Sequence, residues 1–272
     1  MKRKRFYQPI LLALFCSAGL VLRADGPAPI PSADEIIRKT MREAERSESA
    51  RPPYAYSKIS VVEELDTKGR MKDRKEKVYD ARVESGLTFL KLVRINGQNL
   101  SASQLKKEND KELEQRQKLS HKKSARGGDD RENFLTPELV GRYRFRVFDT
   151  PLVNGRPAYL LTFAPKSDNL PVNEIADHLI NHLFGKVWID AQEFEIARIE
   201  VRLQSEVPLW AGVLGNLKKF TFVLDRTRLE NGVWFNRVSS GDFEGRKLIE
   251  SVRIKTHSES KDFARLDKKL VK

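Results

Sequence analysis

The stretch GKVWIDAQEFEIARIEVRL (residues 185–203) decides how the rest of the chain is read. KVWID and EIARIEVRL are strand-like runs joined by AQEF. In the second run Ala197, Ile199, Val201 and Leu203 are apolar, while Arg198, Glu200 and Arg202 are charged. Alternation with period two places the apolar residues on one face of a half-buried strand. The question is whether that face meets a filled core or a space kept for an apolar ligand.

Working outward, the same pattern recurs. YAYSKISVVEELD (54–66), RKEKVYDARVES (74–85) and LTFLKLVRIN (87–96) follow one another across the short turns TKGR, Gly86 and Asn96-Gly97. GRYRFRVFDT (141–150) sets Tyr143, Phe145 and Val147 against Arg142, Arg144 and Arg146. A turn at Val153-Asn154-Gly155-Arg156 leads into PAYLLTFAP (157–165), with Tyr159, Leu161 and Phe163 on one side. Three long strands close the chain: KKFTFVLDRTRL, GVWFNRVSSGDFEG and RKLIESVRIKTHSES. About ten strands joined by tight turns, without βαβ alternation, exclude a parallel α/β fold and point to one large curved antiparallel sheet.

Helical spacing appears in a few places. Ile36, Ile37, Thr40, Met41 and Ala44 recur on one face of a segment that Ser32 or Asp34 can cap and Pro52-Pro53 ends. NEIADHLINHLFG (173–185) reads as a helix with Asn173 as cap and Gly185 as stop. VPLWAGVLGNLKKF (207–220) reads as a loop or short helix. Residues 101–132 carry nine basic and seven acidic residues, and read as an exposed helix followed by a loop at Gly127-Gly128. This segment is either a solvated insertion or a docking site for a partner.

The first residues stand apart. MKRKR precedes a 13-residue apolar run, ILLALFCSAGLVL (10–22), of signal-sequence length and short for a membrane span. Cleavage after Ala24 is expected, giving a signal peptide at 1–24 and one domain at 25–272; an uncleaved anchor is the alternative. Phe15 stands before Cys16 where lipoprotein processing requires a small residue, which argues against lipidation. Cys16 is the sole cysteine, so the chain after Ala24 has no disulfide and is held by burial alone. Lys2, Arg3, Lys4, Arg5 and Arg23 leave with the signal, taking the net charge from +13 to +8. In an exported chain that charge suits anionic head groups or envelope polymers. Its basic residues are interleaved with acids and no nucleic-acid motif stands out, so no nucleic-acid partner is expected.

Val187-Trp188-Ile189-Asp190 followed by Ile196-Ala197-Arg198-Ile199-Glu200 resembles a hairpin of the LolA/LolB-like outer-membrane lipoprotein-sorting superfamily, which includes periplasmic regulators similar to RseB. The order of elements resembles that superfamily over most of the chain; the charged insertion at 101–132 departs from its compact carriers. The resemblance implies a mainly β (α+β) fold: an unclosed antiparallel half-barrel with helices covering an apolar concave face that holds acyl chains. It implies a periplasmic carrier of an acylated lipoprotein or lipid. The alternative is a sensor or scaffold of the same fold that binds an inner- or outer-membrane protein.

Alternation nominates the cavity lining: Phe89 and Val93; Phe145 and Val147; Tyr159, Leu161 and Phe163; Ile199 and Val201; Phe220, Phe222 and Leu224. A lid over it is expected from Ile175, Leu179, Leu183 and Phe184 on the predicted helix, with Trp210, Val213 and Leu214 on the apolar connection. The same residues could instead complete a fixed core. Glu174, His178 and His182 share a helical face, but Leu179 stands where a metalloprotease helix needs glutamate. No nucleophile motif or phosphate loop appears. No catalysis, metal or cofactor is therefore expected.

Overall fold

An antiparallel sheet twists along every strand and bends most sharply where its ladders slip, and the chain supplies such slips repeatedly. The computed structural model describes residues 29–84, 87–121, 135–167, 169–172, 175–209, 215–247 and 250–266. Chain contacts divide the protein into Met1–Pro31 and Ser32–Lys272, and every element below belongs to the second unit. The expected signal peptide, residues 1–24, lies outside the described residues.

Helix α1 spans Ala33–Ala50. The Ser32 hydroxyl accepts the Glu35 N–H, and Asp34 and Glu35 sit at the positive end of the helix dipole. Strands β1 (Tyr54–Leu65), β2 (Met71–Glu84), β3 (Leu87–Ile95) and β4 (Gln98–Asn99) form a first meander. Helix α2 (Ala102–His121) occupies the charged insertion and lies along β3. Helix α3 (Pro137–Arg142) runs directly into β5 (Tyr143–Asp149), followed by β6 (Leu152–Val153) and β7 (Arg156–Pro165). Helix α4 (Ile175–Ile180) precedes β8 (Leu183–Asp190) and β9 (Ile196–Leu203). Then come β10 (Val207–Leu209), β11 (Gly215–Arg228), β12 (Trp234–Lys247) and β13 (Glu250–Arg265).

The strands form one antiparallel sheet in the order β4-β3-β2-β1-β13-β12-β11-β9-β8-β7-β5, with β10 and β6 as side partners of β11 and β7. The last strand slots beside the first, so β1 and β13 join the two meanders. The two ends of this order do not pair with each other, and the barrel stays open. Register shifts at Glu64/Leu65, Val78/Tyr79, Trp188/Ile189, Leu217/Lys219 and Asp225/Arg226 bend it. The fold is thus an unclosed antiparallel half-barrel, with α1 packed against its buried apolar core and α2 lying along β3.

Two findings differ from the sequence reading. The helix expected at 173–185 gives way after Ile180. Leu183, Phe184 and Gly185 belong to β8, where they pair with Leu203, Arg202 and Val201. Gly185 does not stop a helix; it admits a neighbouring strand. The connection at 207–220 is largely strand: Val207, Pro208 and Leu209 pair with Leu217, Asn216 and Gly215.

Ile36 and Ile37 of α1 are buried against Leu161, Val187, Ile189, Ile199 and Leu224. At roughly 1.5–3 kcal/mol per large apolar side chain, this contact fixes α1 to the sheet. A second cluster joins Tyr54, Tyr56 and Phe235, with Phe263 packed against it and the Arg51 guanidinium 4.8 Å from the Phe235 ring centre. Between the clusters lies a buried ion pair, Arg226 Nη1 to Glu195 at 2.8 Å. Arg226 also donates to the Ile196 carbonyl, and Ser47 of α1 donates to Glu195. Replacing Glu195 with alanine strands a buried guanidinium, so Glu195→Ala is expected to cost about 3–5 kcal/mol in urea unfolding. A loss near zero would show that water already solvates Arg226.

Candidate functional site

The WID turn of the opening stretch anchors the site. Asp190 is buried and accepts Arg156 Nε at 2.6 Å and Nη2 at 3.0 Å. It also caps the turn by accepting the N–H groups of Gln192 and Glu193. Burial pushes its carboxyl upward, but the Arg156 hydrogen bond and these two N–H groups outweigh burial and hold it below the ordinary 3.8. On the outer face Arg198 donates to Glu200 and Asp225 and lies 5.6 Å from the Trp188 ring centre. On its other face β9 turns Ala197, Ile199 and Val201 inward.

That inner face borders a cavity of about 220 Å³ whose lining is entirely apolar apart from one tyrosine hydroxyl. Its floor is Phe163 of β7, Val187 of β8, Ile199 and Val201 of β9 and Phe222 of β11. Its rim comes from Leu135, from Leu139 and Val140 of α3, from Tyr143 and Phe145 of β5, and from Ile180 and Leu183 beside α4. Arg142 ties the rim together. It pairs with Asp177 of α4 at 2.8 Å and donates to Asn181 Oδ1 and the Pro171 carbonyl. Tyr143, Phe145 and Phe163 pack edge-on or tilted, with centroids 5.3–6.5 Å apart.

The Tyr143 hydroxyl donates to the Ile180 carbonyl, so β5 and α4 close on each other. Burial pushes this phenol from 10.0 up to about 12, against a smaller downward pull from Arg142. A phenol raised on folding favours the neutral form. Its contribution is complete below pH 10 and is lost as pH rises through about 12. At about 1.4 kcal/mol per pH unit this is roughly 2–3 kcal/mol of alkaline sensitivity. In Tyr143→Phe that step is expected to vanish from an alkaline unfolding curve, at a cost of about 1 kcal/mol at neutral pH for the lost hydrogen bond.

The nominated residues distribute as follows. Phe145, Phe163, Ile199, Val201 and Phe222 line the cavity. Leu161 and Leu224 are fully buried in the core below it, and Val147 and Tyr159 pack against that core. Phe220 lies further along β11, 5.1 Å from Phe243, and Phe243 pairs with Ile254 of β13. Phe89 and Val93 belong to the other half of the sheet. Phe89 pairs with Arg82, on the face opposite Ala81 and Val83, and its ring lies 4.4 Å from the Arg116 guanidinium of α2. Val93 sits at the register shift of β3 and has no Cα partner on β2.

Of the nominated lid, Leu183 borders the cavity from β8. Phe184, its neighbour, points to the opposite face and is 37% exposed. Leu179 lies half-buried on α4 and Ile175 opens that helix. Trp210, Val213 and Leu214 lie outside the described residues. His178 is exposed and His182 Nδ1 lies 3.1 Å from Ser205 Oγ. Glu174 lies outside the described residues, among which no group of three His, Cys, Asp or Glu is placed to hold a metal.

Sequence reading does not pick out α3, which supplies Leu139 and Val140. Its signal is present: Thr136 caps through the Leu139 N–H, Pro137 opens the first turn, and Glu138 follows.

No family model matches the chain, and no curated protein does. Solved structures do. The chain is similar to an outer membrane lipoprotein-sorting protein domain from Vibrio parahaemolyticus, at 11% identity over 87% of this chain and 95% of that one, TM-score 0.38. It is similar to a LolA superfamily protein from Nitrosomonas europaea, at 10% identity over 88% and 95%, TM-score 0.31. It is also similar to a chain of the Pseudomonas aeruginosa MucA/MucB complex, at 10% identity over 86% and 99%, TM-score 0.28.

Proposed function

We propose that this protein is an exported, periplasmic binding protein that shelters the acyl chain of a lipoprotein or lipid, acting by binding alone. The observation that carries this reading is the apolar cavity under α3 and α4 on the concave face. Pockets for drug-sized ligands span roughly 300–1,000 Å³, so about 220 Å³ accommodates a short length of hydrocarbon. A longer chain continues past Phe222 along the partly buried row Phe220, Phe243 and Ile254. Each methylene withdrawn from water contributes about 0.8 kcal/mol. Release then requires the rim to open, and the Arg142–Asp177 pair and the Tyr143–Ile180 bond are what an opening would break.

No helix among the described residues is long and apolar enough to cross a membrane. The test is mass spectrometry of protein isolated from its native envelope, with titration of a fluorescent fatty acid. A co-purifying acylated species and saturable binding are expected. Absence of both would remove the carrier reading.

A second reading, a sensor or scaffold, is favoured by α2, most of whose residues are exposed, Leu113 at 58%. Deleting residues 103–130 leaves acyl binding intact under the first reading and abolishes partner capture under the second.

A further inference from the structure

The opposite face of the same strands carries a second concavity. A groove of about 450 Å³ lies on the outer side of β5, β7, β8 and β9. Arg144 and Arg146 of β5, Lys186 of β8 and Arg202 of β9 line it, all exposed. None of these four has a carboxylate within ion-pair distance among the described residues. The groove's own carboxylate, Glu200, is already engaged by Arg198 at 2.8 Å. Phe184 lines the same groove, and Phe148 lies beside it, 68% exposed, with Lys186 Nζ 5.8 Å from its ring centre. Four cations without counter-charge in one concavity repel each other and raise the local concentration of anions.

The groove also borders an open sheet edge. β5 ends the strand order and, among the described residues, pairs on one side only, with β7. The Lys166 N–H bonds to the Arg142 carbonyl. In the antiparallel register that follows, Arg144 and Arg146 face β7 through their backbones. Phe145 and Val147 therefore present their N–H and C=O groups to the free edge. Charges on an edge strand commonly serve to block pairing, but here they continue onto β8 and β9, well behind the edge.

We propose that this groove and edge take an acidic segment of a polypeptide, added as a strand beside β5. Its alternate carboxylates would lie against Arg144 and Arg146, and its intervening side chains would turn toward Phe145 and Val147. A concave groove beside unpaired backbone groups suits an extended chain better than a membrane surface. This inference does not rest on the acyl-binding reading: the basic groove lies on the other face of the sheet, and the docked strand would meet the cavity only at Phe145 on its rim.

The test is fluorescence anisotropy of the full-length protein with a labelled peptide alternating glutamate and valine. Three comparisons accompany it: the lysine counterpart, the glutamate peptide N-methylated at alternate residues, and phosphatidylglycerol vesicles. Saturable binding of the glutamate peptide, weakening as salt is added, is expected. So is protection of the Phe145 and Val147 amides from hydrogen exchange. In Arg146→Glu/Arg202→Glu, with circular dichroism and Tm unchanged, affinity should fall about tenfold or more and preference should swing to the lysine peptide. N-methylation should weaken binding by a similar factor. Failure of the glutamate peptide to bind, equal binding of both charges, or indifference to N-methylation would each overturn the proposal. Arginine-dependent binding of the vesicles without the peptide would reassign the groove to anionic lipid.

Discussion

Val201→Trp is expected to weaken fatty-acid binding roughly ten- to a few hundred-fold while leaving the fold in place. Val201 is partly buried on the floor of the cavity, directly across from Phe222 in the β9–β11 register. An indole there occupies space that hydrocarbon would fill. Excluding two to four methylenes at about 0.8 kcal/mol each removes roughly 1.6–3.2 kcal/mol, and about 1.4 kcal/mol is a factor of ten. Because the new side chain enters a void, it does not meet the full overpacking penalty of about 1–3 kcal/mol seen in filled cores. Isothermal titration with a fatty acid, beside a thermal melt, separates the two quantities. Leu139→Ala on the rim is the counterpart. It enlarges the cavity, so it should lower stability without abolishing binding. Unchanged affinity in Val201→Trp would place the acyl site elsewhere.

Gly185→Ala is expected to destabilise the protein by about 3 kcal/mol or more and to remove the cavity with it. Gly185 faces Val201 across the β8–β9 ladder. A Cβ there would lie far inside van der Waals contact with the Glu200 carbonyl oxygen, and 2.9 Å from Cζ of Phe163. The first obstacle is backbone in a paired strand, with no flexible side chain to swing away, so the two strands must separate. Separation displaces Val187, Ile199 and Val201 together, which form the cavity floor. Overpacking of this kind exceeds the usual range of about 1–3 kcal/mol. Urea unfolding measures the loss. A wild-type midpoint would contradict the close approach of β8 and β9 at this glycine.

Acid should act through different groups from those that govern alkali. The carboxyls of Asp190, Glu193 and Glu84 are all held low. Asp190 is lowered by Arg156 and turn N–H groups against opposing burial, Glu193 chiefly by Arg228, and Glu84 chiefly by Arg116. Depressed carboxylates stabilise the fold above their ordinary values, and that contribution is lost as pH falls below about 4. The stable window therefore ends on the acid side at the WID turn and the α2 contact, and on the alkaline side at Tyr143.

The hairpin at 185–203 was legible because its information is local. Alternation at Ala197 to Leu203 and at Phe220 to Leu224 assigns a face without knowledge of the partner strand, and the turn chemistry of Asp190 is written in four residues. The face itself is not local. Phe89 alternates as well as Phe163 does, yet the pairing of Arg82 with Phe89 puts it on the side opposite Ala81, under Arg116. Leu183 and Phe184 continue a helical pattern begun at Ile175, and only pairing with Leu203 and Arg202 makes them strand. The basic groove was visible in part, since Arg144 and Arg146 alternate along β5. What sequence could not supply is the approach of Lys186 and Arg202, which depends on strand order.

The most direct measurement is photo-crosslinking with a diazirine-bearing fatty acid, followed by peptide mapping of the adducts. Adducts are expected on Phe145 and Phe163, on Val201 and Phe222, and on Leu139, all of which face the cavity from five different elements. Competition by unlabelled fatty acid should remove them. Adducts confined to the outer face or to α2, or none that a competitor displaces, would contradict the assignment of this cavity as an acyl site.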